Sequence, residues 1–318
     1  KLLKAGGILS MIQPSGPLLY QKDLKFKEDV FSTYNLLQVI DFTKLADKLW
    51  GKKNVSTAAV FLQKSRPDSE PVLHLIANRT FSNANKLFLE FDYYDFHFMS
   101  KNDAIFKPYT WKAHLLGGGR ITSLIERLST LPTLKEFLKE KERKEGWCVG
   151  IGYIIGDKSN KADFITGKET IPVEALTENG IDEKQIHECL IQRFERPRKT
   201  KKKIYEGPHI LIRVITGNQG IPIAYSEKYL TFPFGIIGIH APQDDKSELS
   251  ALYDYLKENN SLLRSYILAT SGRAMIGKAT SINKDDIMRI PYSHNKNDII
   301  FSEAEKIIIE EIADKRKT

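Results

Sequence analysis

Cysteine is scarce in this 318-residue chain, which contains only Cys148 and Cys189. Two cysteines cannot build a disulfide framework or a zinc site with the usual ligand spacing. The seven histidines are scattered without metal-ligand spacing, so we expect no bound metal. No apolar run approaches the roughly 20 residues of a membrane helix, and no signal peptide is visible. These absences predict a cytoplasmic protein without a membrane partner.

Positive charge is abundant and unevenly placed. The formal net charge is +8, and eight Lys or Arg residues face two Glu residues between Arg193 and Arg213. A basic cluster of this kind attracts phosphate groups and releases their counterions on binding. A solvated surface loop is the alternative, whereas an acidic membrane is disfavoured because the segment lacks an apolar face. The cluster therefore favours nucleic acid as a partner.

The first sixty residues alternate short apolar runs with helical patterns. An apolar run at residues 8–12 follows Ala5-Gly6-Gly7 and is typical of a buried parallel strand. A helix over residues 29–37, a strand over 38–42, a helical turn over 44–49 and a strand over 55–62 follow it. A folding unit rarely begins at such a strand, so we expect the chain to be a C-terminal fragment. Its 8–12 edge would then be covered by dimerisation or by another segment.

The remaining sequence mixes strand and helix patterns. Period-2 alternation predicts a strand pair or hairpin within residues 72–92, and turn residues separate the later segments. Strand character is predicted at 147–155, 204–216 and 221–239, and helices at 121–128, 134–144, 249–258, 261–269 and 303–314.

The order of the opening elements resembles that of a known enzyme family. Residues 6–15 read Gly-Gly-Ile-Leu-Ser-Met-Ile-Gln-Pro-Ser, and residues 39–42 and 49–61 carry the later strand patterns. Together they resemble the late strands of class I adenine-N6 DNA methyltransferases of the gamma order, in which the last strand pair is antiparallel. Residues 193–198 and 204–213 resemble the entry to a TaqI-like target-recognition domain, and residues 262–266, 272–273 and 287–291 resemble its closing part.

The resemblance implies a fold and a domain division. We expect α/β plus α+β architecture: a partial Rossmann-like methyltransferase sheet with an antiparallel last pair, followed by a mixed α/β target-recognition domain. The expected segments are residues 1–92 for the methyltransferase part, 93–200 for a mixed linker and helical insert, 201–292 for target recognition and 293–318 for a C-terminal helix.

The same resemblance implies an activity that this chain does not carry alone. The family binds S-adenosylmethionine through a glycine-rich loop and holds the adenine with an Asn/Asp-Pro-Pro-aromatic tetrapeptide. Neither motif occurs here, and neither Gly117-Gly118-Gly119 nor Gly150-X-Gly152 fits a cofactor loop. We therefore expect both motifs upstream, in a longer protein that methylates adenine N6 in duplex DNA within a restriction-modification system. By itself the fragment should be inactive.

Candidate site residues follow from these expectations. The family packs an aromatic on the flipped adenine from its antiparallel strand, which in this sequence corresponds to Phe61 or Leu62. A core role is the alternative for either residue, since adjacent strand positions face opposite sides of a sheet. The candidates for phosphate contact are Arg193, Arg196, Arg198, Lys199, Lys201, Lys202 and Lys203, and those for base readout are Arg213, Asn218, Gln219, Arg273 and Lys278.

Three other functions stay open from the sequence. A DNA-binding specificity module without catalysis predicts that residues 8–62 do not form strand, helix, strand and strand with an antiparallel last pair. A methyltransferase of RNA or protein would share those residues but would not bind duplex DNA through residues 180–292. A nuclease domain fused upstream, or a restriction endonuclease partner, is compatible with every pattern above.

Overall fold

The computed structural model describes residues 3–20, 24–51, 55–83, 86–215, 220–274, 282–293 and 300–314. The chain is a mixed α/β protein with one mixed sheet and several antiparallel sheets. It divides into two compact units: unit 1 comprises Lys1–Leu128 and Leu268–Thr280, and unit 2 comprises Ser129–Ile267 and Ser281–Thr318. None of the helices in the described ranges combines the length and apolar character needed to cross a membrane.

Unit 1 is built on a five-stranded sheet. Its strands are β1 (Ile8–Pro14), β2 (Asn35–Asp41), β3 (Thr57–Gln63), β4 (Val72–Ile76), β5 (Arg79–Asn83), β6 (Lys86–Glu90) and β7 (Phe96–Met99). Its helices are α1 (Leu24–Thr33), α2 (Ala46–Trp50), α3 (Lys101–Phe106), α4 (Pro108–Leu116) and α5 (Gly119–Ser129), with a π-helical turn at Gly16–Tyr20. β5 and β6 form a separate hairpin.

The order of strands in the sheet is β1-β3-β2-β4-β7. β3 pairs antiparallel with both β1 and β2, so these two run parallel to each other on either side of it. β4 is parallel to β2, and β7 is antiparallel to β4. The expected strand, helix, strand and antiparallel strand are therefore all present over residues 8–63.

One face of this sheet is buried. Val39, Val60 and Met99 point into a core that also contains Phe31 of α1 and Trp111 of α4. Burying large apolar side chains of this kind is worth about 1.5–3 kcal/mol each. These helices therefore hold the sheet from one side.

The other face and the β1 edge are open. Side chains alternate along a strand, so Phe61 and Phe98 share the face opposite the core, as do Ile12 and Phe96. The exposed fractions are 59% for Ile12, 44% for Phe96 and 63% for Phe98. β1 is exposed on both sides, with Leu9 and Met11 accessible on the core side of the sheet.

Unit 2 contains a four-stranded antiparallel sheet in the order β16-β15-β17-β8 and three two-stranded sheets. Its strands are β8 (Cys148–Ile151), β9 (Ile154–Asn160), β10 (Glu169–Thr170), β11 (Leu176–Thr177), β12 (Gly180–Ile181), β13 (His187–Glu188), β14 (Phe194–Arg196), β15 (His209–Arg213), β16 (Ile223–Ser226) and β17 (Ile236–His240). The helices that begin in it are α6 (Leu134–Lys144), α7 (Lys246–Glu258), α8 (Asn260–Thr270), α9 (Lys284–Met288) and α10 (Glu303–Asp314).

The division into units differs from the segments expected from the sequence. The boundary lies after Leu128, so residues 93–128 pack with the first sheet, whereas residues 129–200 belong to unit 2. Ile105 of α3 and Leu115 of α4 are the reason, because both are buried in the core of unit 1. The functions attached to those segments stay predictions.

The open edge leads to a first prediction. We expect the chain to self-associate at micromolar concentration, since an exposed apolar edge strand pairs readily with another chain. Ile8 and Ile12 are 56% and 59% exposed, so the double variant I8K/I12K should shift sedimentation velocity towards the monomer mass of 36.3 kDa without loss of stability. The control is L190K in unit 2, at a residue 77% exposed, which should leave association unchanged. A wild-type chain that stays monomeric throughout would contradict this expectation.

Candidate nucleic-acid interface

The basic segment of the sequence forms two short 3-10 turns within Lys199–Tyr205, separated by a kink at Lys201, and together they are here called the basic helix. Arg198 precedes it with φ of 61°, in the left-handed region that few residues other than glycine adopt. At its other end, Ile204 and Tyr205 are buried in the core of unit 2. Lys199, Lys202 and Lys203 are exposed. Burial of its apolar end thus presents the lysines to solvent.

Two glycines make room for the basic helix. Gly150 of β8 and Gly238 of β17 lie directly opposite each other on neighbouring strands. A Cβ at Gly150 would lie 3.2 Å from the Cβ of Lys201, and one at Gly238 would lie 3.0 Å from the carbonyl oxygen of Ile204. The glycine pair therefore lets the helix approach the sheet closely.

A cleft of about 570 Å³ lies between the basic helix and α6. α6 begins at a capping box, in which Thr133 and Glu136 each accept a hydrogen bond from the other's backbone N–H. The lining of the cleft contains six cationic side chains and one carboxylate: Lys139, Arg143, Lys199, Lys201, Lys202 and Lys203, against Glu142. The cleft is therefore strongly positive.

Glu142 is already occupied by two partners. Its Oε1 accepts hydrogen bonds from Nζ of Lys201, at 2.6 Å, and from the backbone N–H of Val149, at 3.0 Å. Partial burial favours the neutral amine of Lys201, but the hydrogen bond and charge of Glu142 outweigh it and raise the pKa of Lys201. Within the described ranges, no carboxylate lies at ion-pair distance from the other five cations.

Lys284, at the start of α9, is close enough to the cleft to be affected by the charges of Lys201 and Glu142. Burial lowers the pKa of its amine, and the charge of Lys201 lowers it further, although Glu142 acts in the opposite direction. Burial also raises the pKa of the Cys148 thiol in the cleft wall. The positive charges of the cluster are therefore not fully balanced, and a bound anion would reduce the repulsion between them.

The other predicted DNA-contact residues lie apart from the cleft lining. Arg193 and Arg196 are exposed, and Nε of Arg196 is 3.8 Å from Glu195. Nε of Arg198 donates to the carbonyl oxygen of Gly152 at 3.4 Å.

Of the residues predicted to read bases, Arg213 and Arg273 lie in the described parts of the chain, one in each unit. Arg213 ends β15, is half-buried, and donates from NH1 to the carbonyl oxygen of Leu176 at 3.4 Å. Arg273 is exposed in unit 1. Asn218, Gln219 and Lys278 lie outside the described residues.

The two positions considered for adenine stacking face opposite sides of β3. Leu62 packs against the core of unit 1. Phe61 is half-buried on the open face, opposite Gln38 of β2 and Ser10 of β1. Of the two, Phe61 is the aromatic residue, and it lies on the face opposite the core.

A buried polar network in unit 1 was not anticipated from the sequence. Asp41, the last residue of β2, accepts hydrogen bonds from the Tyr20 hydroxyl and from the backbone N–H of Thr43. Nε2 of His74 lies 3.5 Å from Oδ2 of Asp41, and the Ser15 hydroxyl is 2.8 Å from that of Thr43. The network joins the segments that follow β1 and β2.

Three histidines extend this network. Nδ1 of His74 is 3.3 Å from Nδ1 of His114, and the ring of His97 stacks on that of His114 at a centroid distance of 4.6 Å. Burial, together with the charge of His74, lowers the pKa of His97 to about 4 and that of His114 to about 2. Burial alone would raise the pKa of Asp41, but hydrogen bonds and charge, led by those of His74, lower it.

Comparisons with known proteins give weak similarities. No family model and no curated protein matches the sequence. Among solved structures, the type IIG restriction endonuclease BpuSI is 13% identical with a TM-score of 0.34, covering 97% of this chain and 42% of that chain. A structure described as a DrdV–DNA complex is 11% identical with a TM-score of 0.36, covering 74% of this chain and 30% of that one.

A chain from a study of a type I R-M system is 20% identical with a TM-score of 0.20, covering 23% of this chain and 15% of that chain. This chain thus spans less than half the length of each of the three. At such TM-scores the similarities support no conclusion about fold or activity.

The histidine network generates a second prediction. An unfolded histidine binds a proton near pH 6.5, whereas His114 in the folded chain binds one only near pH 2. The unfolded state therefore binds more protons below pH 6.5, and the free energy of unfolding of unit 1 should fall between pH 6.5 and about 4. For His114 alone the loss at pH 5 is roughly 2 kcal/mol.

Urea denaturation at pH 7 and pH 5 measures this loss. H114Q should flatten the pH dependence, whereas H187Q, at an exposed position in unit 2, should leave it as in the wild type. Equal pH dependence in H114Q and wild type would show that this histidine does not carry the effect.

Proposed function

We propose that this chain is the C-terminal part of an S-adenosylmethionine-dependent adenine-N6 DNA methyltransferase of a restriction-modification system. In this proposal, unit 1 supplies the late strands of the catalytic sheet, and unit 2 supplies DNA target recognition. A nuclease domain or subunit of the same system is compatible with it.

The observation that carries the proposal is the placement of β3. An antiparallel strand lies between two parallel strands, in the order β1-β3-β2, with a helix between β1 and β2 in the sequence. The resemblance of residues 6–15, 39–42 and 49–61 implies this arrangement. A specificity module without a catalytic sheet predicts its absence, so the observation favours the enzyme over that alternative.

The open edge and face of the same sheet also support the proposal. β1 is apolar yet exposed on both faces. Apolar strands of this kind are typical of sheets that helices cover on both faces. Further parallel strands and helices next to β1 would bury it. In the proposal, these additional elements carry the glycine-rich loop and the catalytic tetrapeptide.

The proposal assigns no S-adenosylmethionine contact to the carboxyl ends of β1 and β2. The polar side chains there are Ser15, Asp41 and Thr43, which are buried and hydrogen-bonded within their own network. Because these groups already have partners, the proposal places the cofactor contacts on the additional elements.

The basic cleft of unit 2 supports DNA as the substrate rather than protein. Its cations suit phosphate contacts, which fix the position of a nucleic acid without reading its sequence. Phe61 is the residue proposed to stack on the flipped adenine, because it is the aromatic one of the two candidates and lies half-buried on the open face.

The test uses the longer protein that the proposal requires, in which this chain is the C-terminal part. With S-adenosylmethionine and duplex DNA, it should produce N6-methyladenine, detected by mass spectrometry of the nucleosides, whereas the present chain alone should not bind the cofactor. F61A should lower kcat/KM roughly five- to a hundredfold, since stacking on a base is worth about 1–3 kcal/mol.

The matched control is F98A, an exposed phenylalanine on the same face of the sheet, which should methylate like the wild type. Methylation of RNA or protein in place of DNA would show that the enzyme acts on another substrate class and would contradict the proposed DNA substrate. Absence of any methyl transfer by the longer protein would remove it.

A further inference from the structure

Cations from two separate elements face each other across the cleft of unit 2. Lys139 and Arg143 lie four residues apart and therefore share one face of α6. Lys199, Lys202 and Lys203 come from the basic helix, which lies some sixty residues later in the chain. The protein thus spends folding energy to hold like charges close together, which a bound anion would offset.

The walls of the cleft select phosphate over base. Its aromatic residue, Trp147, is 3% exposed and donates from Nε1 to Oδ2 of Asp245 at 2.8 Å, so no open ring is available for stacking. A volume of about 570 Å³ exceeds that of a single phosphate, and five cations without an ion-pair partner among the described residues exceed its charge. The ligand therefore carries several phosphates.

We infer that the cleft between α6 and the basic helix holds two or more consecutive phosphates of a nucleic-acid strand, with Lys139 and Arg143 as contact residues. This inference rests on the proposed function for its choice of nucleic acid. It extends the DNA-contact surface from the basic run to α6, which the sequence did not single out.

Glu142 is the internal counterion of the cleft. It holds Lys201 at 2.6 Å and so withdraws one cation from the ligand. Glutamine at this position keeps an oxygen that can accept from the Val149 N–H but carries no charge. E142Q should therefore release Lys201 and strengthen binding.

The experiment measures binding of a fluorescein-labelled 30-base-pair duplex by anisotropy as a function of salt concentration. The logarithm of the affinity should fall linearly with the logarithm of the salt concentration. In K139Q/R143Q this negative slope should become less steep by about 2, because each phosphate contact contributes about 0.9. In E142Q the affinity should rise several-fold and the slope should steepen by up to about 1. Thermal melting checks that each variant folds.

The control variant K135Q/K168Q removes the same charge from exposed lysines outside the cleft lining, one of them on α6. It should keep the wild-type slope. An equal loss of slope in the control and in K139Q/R143Q would mean that net charge, and not the cleft, governs binding, and would overturn the inference.

Inorganic tripolyphosphate separates a strand from a free oligophosphate. It should compete with the duplex for the wild type and much less for K139Q/R143Q. If tripolyphosphate binding is lost in this variant while duplex binding is unchanged, the cleft serves a free oligophosphate, and the inference is wrong.

The two proposals fail in different ways. If the longer protein transfers no methyl group but the cleft variants change the salt slope as stated, the cleft is a nucleic-acid site of a different kind of protein. If methylation occurs but the slopes do not change, the cleft inference alone is lost.

Discussion

The backbone hydrogen bonds of β3 hold unit 1 together. β3 pairs along its length with β1 on one side and β2 on the other, and none of the other described strands joins those two. The parallel pairing of β4 with β2 then extends the sheet, and the helices cover one face. The network around Asp41 depends on the same pairing, since Asp41 ends β2 and Ser15 follows β1. Any function of unit 1 that uses the carboxyl edge of the sheet therefore depends on β3.

In unit 2 the arrangement of the basic cleft depends on two glycines, which have no side chain. Gly150 and Gly238 let the basic helix lie against the sheet, and this contact positions the lysines opposite α6. The positive cleft is thus a result of packing. Burial of the apolar end of the basic helix orients its lysines, which would otherwise extend in different directions into solvent.

Local patterns predicted most elements but not how they meet. The helical pattern was enough for α6 and α10, and the apolar runs were enough for β1 and β3. α1 begins and ends earlier than its pattern predicted, because Asn35 and Leu36 pair with β3 as part of β2. The histidine network joins His74, His97 and His114 from β4, β7 and α4, and no spacing in the sequence reveals such a meeting. Lys139 and Arg143 were not predicted as contact residues for the same reason, since the sequence of α6 alone is that of an ordinary solvated helix.

The position of β3 between β1 and β2 also sets the order in which unit 1 can be completed during synthesis. β1 is made first, but its hydrogen-bonding partner lies some fifty residues later. Until β3 has left the ribosome, β1 and β2 each lack the neighbour that β3 provides. A chain whose synthesis pauses before β3 would therefore expose one unpaired edge of each strand to chaperones and to other nascent chains.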